Sequence, residues 1–102
     1  FTGTTSGTSA TSIYSFASAT YRSGEITMQV KNGTAYRILK LMFVHDGTTV
    51  TLSENYLTGT EIQTAATNTT FTATIATGTL TLYATASSGT SVIKGNAKLF
   101  TA

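Results

Sequence analysis

Threonine makes up about a quarter of the 102 residues, and no other feature limits the fold of this chain as strongly. The β-branched threonine side chain loses rotamer freedom in a helix and packs well on the pleated surface of a sheet. Charged residues are only 10% of the sequence, well below the share in ordinary soluble domains, so hydroxyl groups supply most of the polar surface. The composition predicts an all-β protein with few or no helices.

Alternation of apolar and polar residues predicts where the strands lie, and Gly-containing turns separate them. In residues 25–31 three large apolar side chains alternate with polar ones, which is typical of a half-buried strand. Asn32-Gly33 and Asp46-Gly47 are strong signals for tight hairpin turns. They enclose residues 35–45, which have apolar side chains on both faces and are expected to form a central strand. The two turns therefore predict a three-stranded meander.

The rest of the chain continues the same pattern. Further strands are predicted at residues 12–20, 61–64, 70–77, 79–85 and 92–100. In the first of these, alternation places Tyr14 and Phe16 on one face and Ile13 on the other. Gly95, inside the last, is interpreted as a β-bulge. About seven strands at spacings of about ten residues predict an antiparallel β-sandwich, Ig-like or jelly-roll-like, or a small barrel.

The length fits a single domain, predicted to span residues 12–102. Residues 1–11 are small, polar and interrupted by glycine, so they are expected to form an N-terminal arm that is flexible or held by a partner. The sequence starts with Phe rather than Met, which suggests a processed product or part of a longer chain. With no cysteine there is no disulfide, and any metal would need oxygen ligands.

Charge and hydropathy argue against two classes of partner. The net charge is +2, but the six Lys and Arg residues are scattered and form no basic run, so no nucleic-acid binding is expected. No stretch reaches the ~20 apolar residues of a membrane-spanning helix, so no membrane partner is expected. No loop has the alternating Asp and Asn residues of a calcium site, and no cofactor or metal is predicted.

His45 and Asp46, adjacent at the end of an apolar strand, are the one candidate catalytic pair. Neighbouring residues on a strand point to opposite faces, so the two side chains are poorly placed to hydrogen-bond each other. We interpret Asp46 as a turn residue and His45 as the end of the strand. No Gly-x-Ser-x-Gly motif is present, and the four acidic residues share no pattern. The chain is therefore predicted to have no catalytic residues and not to be an enzyme.

Two rows of threonine raise the alternative of a sugar-binding or ice-binding array: Thr70, Thr72 and Thr74, and Thr77, Thr79 and Thr81. The two rows flank a turn and lack the fixed repeat of a flat solenoid, so solvated strand faces are the simpler interpretation. The five tyrosines would suit stacking on sugar rings, although tyrosine also packs at the edge of a sandwich.

Several short segments carry a family resemblance through their order along the chain. They are Thr20-Tyr21-Arg22-Ser23-Gly24-Glu25, Gln29-Val30, Asn32-Gly33-Thr34-Ala35-Tyr36, Val44-His45-Asp46-Gly47-Thr48-Thr49, Phe71-Thr72-Ala73-Thr74-Ile75, Gly78-Thr79-Leu80-Thr81-Leu82 and Val92 to Leu99. This order of turns and strands resembles a β-rich virion structural module of tailed bacteriophages, known from phages of marine bacteria and cyanobacteria. The resemblance covers about residues 16–100.

The resemblance implies a non-enzymatic structural protein on the outer surface of a phage head or tail, as a capsid decoration or fibre module. It would dock on other virion proteins through sheet edges and terminal arms, as a homo-oligomer, either a trimer or a ring. The candidate interface residues are Phe1, Tyr21, Arg22, Tyr56 and Phe100. The alternative is a carbohydrate-binding adhesin that recognises host surface glycans.

Overall fold

A computed structural model describes residues 1–55, 61–62 and 69–101, and in these residues the chain is all-β. The strands are β1 (Thr2–Thr4), β2 (Thr11–Ala17), β3 (Tyr21–Asn32), β4 (Ala35–His45), β5 (Val50–Asn55), β6 (Glu61–Ile62), β7 (Thr69–Ala76), β8 (Thr79–Ala86) and β9 (Ser91–Thr101). The described residues include no helix long and apolar enough to cross a membrane. The all-β prediction is confirmed.

The strands form two antiparallel sheets that face each other as a β-sandwich. The main sheet has the order β1-β9-β3-β4-β5, with β6 paired to the beginning of β4. The second sheet has the order β2-β8-β7. The meander β3-β4-β5 and the hairpin β7-β8 lie where the alternation and the turns predicted them, and the short strand expected after residue 60 is present as β6.

The core lies between the two sheets and consists of the inward-facing residues of alternating strands. Its fully buried side chains include Met28, Leu41, Leu82 and Ile93. On β4 every second residue from Ala35 to His45 is buried and the residues between them are exposed, as the two-residue period of a strand requires. The main sheet therefore has one face on the core and one outer face.

The N-terminal segment is not the free or partner-held arm that the sequence suggested. β1 pairs with the first half of β9, and Phe1 continues the pairing by exchanging two hydrogen bonds with Gly95, of 2.8 and 2.9 Å. The Phe1 ring stacks on Tyr14 at a centroid distance of 4.7 Å and packs against the core. Because an extended segment satisfies its backbone groups on any open strand edge, even a threonine-rich and glycine-rich one orders there.

Gly95 does not form a bulge, because the pairing of β3 with β9 continues through it without a break. Gly95 instead allows a close approach, because a Cβ atom at this position would collide with the ring of Phe1. Register shifts occur elsewhere, in β2 between Ser12 and Tyr14 where it pairs with β8, and in β3 between Tyr21 and Ser23 where it pairs with the end of β9. The shift in β2 turns Ile13 into the core together with Tyr14 and Phe16, whereas simple alternation had put it on the opposite face.

The turns differ from the predicted ones by small shifts. Asn32 is the last residue of β3, and the reversal is made by Gly33, with a φ of 62°, and Thr34. The pair in which both residues have positive φ is Thr77-Gly78, between β7 and β8. This conformation belongs to the type I′ turn, whose twist matches that of the strands it joins.

Candidate docking surface

The His45–Asp46 corner is a structural element built around the backbone. His45 is buried, and its Nε2 lies 2.6 Å from the carbonyl oxygen of Tyr21, to which it donates. The Gly47 N–H donates to His45 Nδ1 at 3.0 Å, so Nδ1 is the acceptor of the ring and Nε2 is its donor. Both ring nitrogens are therefore engaged by the main chain, and the imidazole ties the end of β4 to the start of β3.

Asp46 caps the turn that follows. Its Oδ1 accepts hydrogen bonds from the N–H groups of Thr48 and Thr49, at 2.9 and 2.7 Å. These bonds favour the ionised carboxylate and hold the pKa of Asp46 below its ordinary value of 3.8. Gly47, with a φ of 98°, supplies the left-handed residue that the loop needs. This geometry matches the interpretation of Asp46 as a turn residue.

The predicted interface residues occupy three separate places. Phe1 and Tyr21 are half-buried: Phe1 stacks on Tyr14, and Tyr21 meets Phe16 edge-on at 5.9 Å. Arg22 is half-buried beside the Asp46 turn. Tyr56 lies outside the described residues. Phe100, by contrast, is exposed on the outer face of the main sheet.

The outer face of the main sheet carries the large apolar residues that the core leaves exposed. All five such residues in the described part of the chain lie on this face, with exposed fractions between 38% and 54%: Tyr36, Ile38, Met42, Val44 and Phe100. The first four follow one another along β4. Phe100 lies two strands away from Val44, since both residues pair with Ser23. Together they form an apolar stripe on a regular, hydrogen-bonded surface.

The same face carries every lysine of the chain. Lys40 lies within the stripe on β4, and the other three flank it on the neighbouring strands: Lys31 on β3, and Lys94 and Lys98 on β9. Two of the flanking lysines also contact aromatic rings: Nζ of Lys31 lies 5.7 Å from the ring centroid of Tyr36, and Nζ of Lys98 lies 5.7 Å from that of Phe100. We call these five apolar residues and four lysines the outer-face patch.

One acidic residue lies within the outer-face patch. Glu25 Oε2 lies 3.0 Å from Nζ of Lys40, and Lys98 adds a second positive charge nearby. The hydrogen bond from Lys40 and the charges of the two lysines hold the pKa of Glu25 below its ordinary value of 4.5. These residues line a shallow, open depression together with Thr27, Asn96 and Ala97. With four lysines against one carboxylate, the patch is strongly cationic at neutral pH.

The composition of the patch suits contact with another surface. The described residues contain no group of three or more His, Asp or Glu side chains that would hold a metal ion. A flat apolar stripe instead gains free energy when another surface removes it from water, and the lysines set which surfaces are compatible. The arrangement therefore suits docking against a partner that is apolar at the centre and acidic around it.

Only part of this surface is predictable from the sequence. Phe100 is among the predicted interface residues, whereas the four residues on β4 are predicted only as part of a central strand with two apolar faces. That strand is central, between β3 and β5, as predicted. Its second apolar face, however, is exposed rather than covered. The sequence does contain a signal of this exposure: Lys40 interrupts that face of β4, and alternate residues of β3 on the same face of the sheet, from Glu25 to Lys31, are polar.

Comparison with protein-family models, with curated proteins and with solved structures finds no match to this chain.

Proposed function

We propose that this chain is a non-enzymatic structural protein of a tailed-phage virion that docks on another virion subunit through its outer-face patch. One observation carries the proposal: every exposed large apolar residue of the described chain and every lysine share one face of one sheet. The resemblance to phage structural modules supports the assignment to a virion, and the outer-face patch supports the choice of docking surface. The contact thus lies on a sheet face, in addition to the edges and arms expected from the sequence.

Charge decides which partner fits. Two copies of this chain placed patch to patch would set four lysines against four, so the patch does not suit its own copy. An acidic subunit surface would neutralise the lysines, while its apolar centre would cover Ile38, Met42 and Val44. Each contact is small, and repetition over a symmetric particle multiplies it.

The alternative of a glycan-binding adhesin has weaker support in the geometry. Sugar sites use exposed aromatic rings bordered by hydrogen-bonding groups. Two of the tyrosines, Tyr14 and Tyr21, are half-buried and pack against Phe1 and Phe16. The outer-face patch is instead largely aliphatic beside the rings of Tyr36 and Phe100.

The test compares variant particles made by a phage whose genome encodes this chain. Quantitative mass spectrometry of purified wild-type particles should give a copy number that matches a repeated head, tail or fibre subunit. The double variant Met42→Asp/Val44→Asp should fold but be lost from particles, because two carboxylates would be buried against an acidic surface. The control Thr72→Asp/Thr74→Asp changes two exposed positions on β7 and should be incorporated normally.

Raising the salt concentration should release wild-type protein from particles, since screening weakens the attraction between lysines and acidic groups. Normal incorporation of the Met42→Asp/Val44→Asp variant would show that the patch is not the docking surface. Absence of the chain from particles, together with specific binding to a glycan array, would support the adhesin instead.

A further inference from the structure

The edge of β9 is covered over only part of its length. β1 pairs with residues 92–94, and Phe1 extends that pairing to Gly95. From Asn96 to Thr101, β9 pairs with β3, and no residue of the described part of the chain pairs with its other side, which we call the open part of β9. An open edge is a row of unpaired backbone donors and acceptors, and such edges are the usual sites of sheet extension between chains.

The hydrogen-bond pattern shows which groups point outward. Gly95 directs its N–H and C=O to Phe1, away from β3. Because these directions alternate along a strand, the N–H and C=O groups of Ala97 and Leu99 also point away from β3. The side chains of Lys98, between these two residues, and of Phe100, after Leu99, belong to the outer-face patch. A strand added here would therefore pair with Ala97 and Leu99 and would extend the outer face.

We propose that the open part of β9 pairs with the same part of a second copy of this chain, antiparallel about a two-fold axis at Leu99. This register follows from where β1 stops. An axis at Ala97 would require the second copy to occupy the position opposite Gly95, which Phe1 already fills. An axis at Thr101 would leave only the end of the strand to pair. Leu99 is the position that uses the whole open edge without displacing Phe1.

The side chains are self-complementary in this register. Lys98 lies opposite Phe100 of the second copy, so each lysine meets a ring, as Lys98 already does within the chain at 5.7 Å, and no lysine faces a lysine. On the inner face Leu99 meets Leu99 of the second copy, and Ala97 meets Thr101. Pairing would remove Phe100 from water and would satisfy the outward groups of Ala97 and Leu99 in both copies.

A two-fold axis through a directly opposed, hydrogen-bonded pair runs perpendicular to the sheet, so the outer faces of both copies look the same way. The dimer would present two outer-face patches side by side as one surface. This is a closed dimer, in place of the trimer or ring expected from the sequence. The pairing does not depend on an acidic docking partner, and it is tested on the isolated chain.

The first test uses a single cysteine in a chain that otherwise has none. Directly opposed residues in such a pair have Cα atoms about 5.5 Å apart, which is within the range for a disulfide. Under mild oxidation Leu99→Cys should therefore form a covalent dimer. Thr72→Cys, at an exposed position on β7, should stay monomeric at the same concentration. Equal crosslinking of the two variants, or none for Leu99→Cys, would overturn the proposal.

The second test removes one outward donor. Ala97→Pro deletes an N–H that points away from β3, so the β3–β9 ladder should survive and the circular dichroism spectrum should stay β-type. In sedimentation velocity the wild type should show concentration-dependent dimerisation, and Ala97→Pro should weaken it at least tenfold. A wild type that is monomeric at all concentrations, or that forms trimers or larger rings, would contradict the two-fold register. So would a folded Ala97→Pro variant that dimerises like the wild type.

Discussion

The two faces of β4 both carry large apolar residues, but one face is buried and the other is exposed to solvent. Leu39, Leu41 and Phe43 point inward and are at most 5% exposed, whereas Ile38 and Met42 point outward and are almost half exposed. Along the sequence, apolar residues recur at every second position on both faces, so the pattern alone does not say which face is buried. The difference comes from the second sheet, since β2, β7 and β8 pack on one side of the main sheet only. One set of apolar residues holds the fold together, and the other is available for contact.

The largest expected effect is on the inner face. Leu41→Ala should lower the free energy of unfolding by about 2–5 kcal/mol, since it removes buried methyl groups and leaves a cavity. The neighbouring Met42→Ala should lower it by no more than about 1 kcal/mol, because about half of that side chain is already exposed to water. Urea unfolding of the two variants measures both. A similar loss for Met42→Ala would show that the outer face contributes to folding and is not reserved for a partner.

The two faces of β4 also differ in how far their cationic side chains are buried. Arg37 is buried at the inner face and forms an ion pair with Glu54, whereas Lys40 is half exposed and pairs with Glu25 on the outer face. Glu54→Gln should cost about 1–3 kcal/mol of stability, because it weakens the compensation of a buried charge. Glu25→Gln should leave the urea midpoint nearly unchanged, since water screens that pair. Equal losses would mean that the outer face is less accessible to solvent than its geometry indicates.

The parts of the fold that were predictable are those fixed by neighbouring residues. Meander β3-β4-β5 and hairpin β7-β8 follow from alternation and from local turns such as Thr77-Gly78. What was missed depends on residues far apart in the chain. The pairing of β1 with β9 brings Phe1 onto Gly95, 94 positions away, and no local pattern contains that information. Exposure of the outer face depends likewise on where the second sheet lies, and one strand cannot reveal it.

The contact between Phe1 and Gly95 distinguishes the covered part of the β9 edge from its open part, and substitutions at these two positions test that contact. Gly95→Ala should destabilise the protein by about 1–3 kcal/mol, because the new Cβ collides with the Phe1 ring and disturbs its stacking on Tyr14. In a Phe1→Ala background the same substitution should cost less than about 1 kcal/mol. Thermal unfolding of the four proteins in this cycle measures the coupling. Additive losses would show that Phe1 does not pack on Gly95 in solution.

The smallest effects should come from two exposed carboxylates whose pKa values are lowered for different reasons. Lys40 and Lys98 lower the pKa of Glu25, whereas backbone N–H groups lower that of Asp46. A lowered pKa in the folded state adds stability above the ordinary values of 4.5 and 3.8, and this contribution is lost as pH falls through the lower, folded-state values.

NMR titration of the two side chains in low and high salt separates the causes of the two pKa shifts. Salt should move the pKa of Glu25 part of the way back toward 4.5, because ions screen the charges of the two lysines but not the short-range hydrogen bond from Lys40. The pKa of Asp46 should move less, because backbone hydrogen bonds are the main cause of its shift. Lys40→Met should raise the pKa of Glu25 in the same way, and a salt-independent Glu25 would show that the lysines of the outer face do not act on it as free charges.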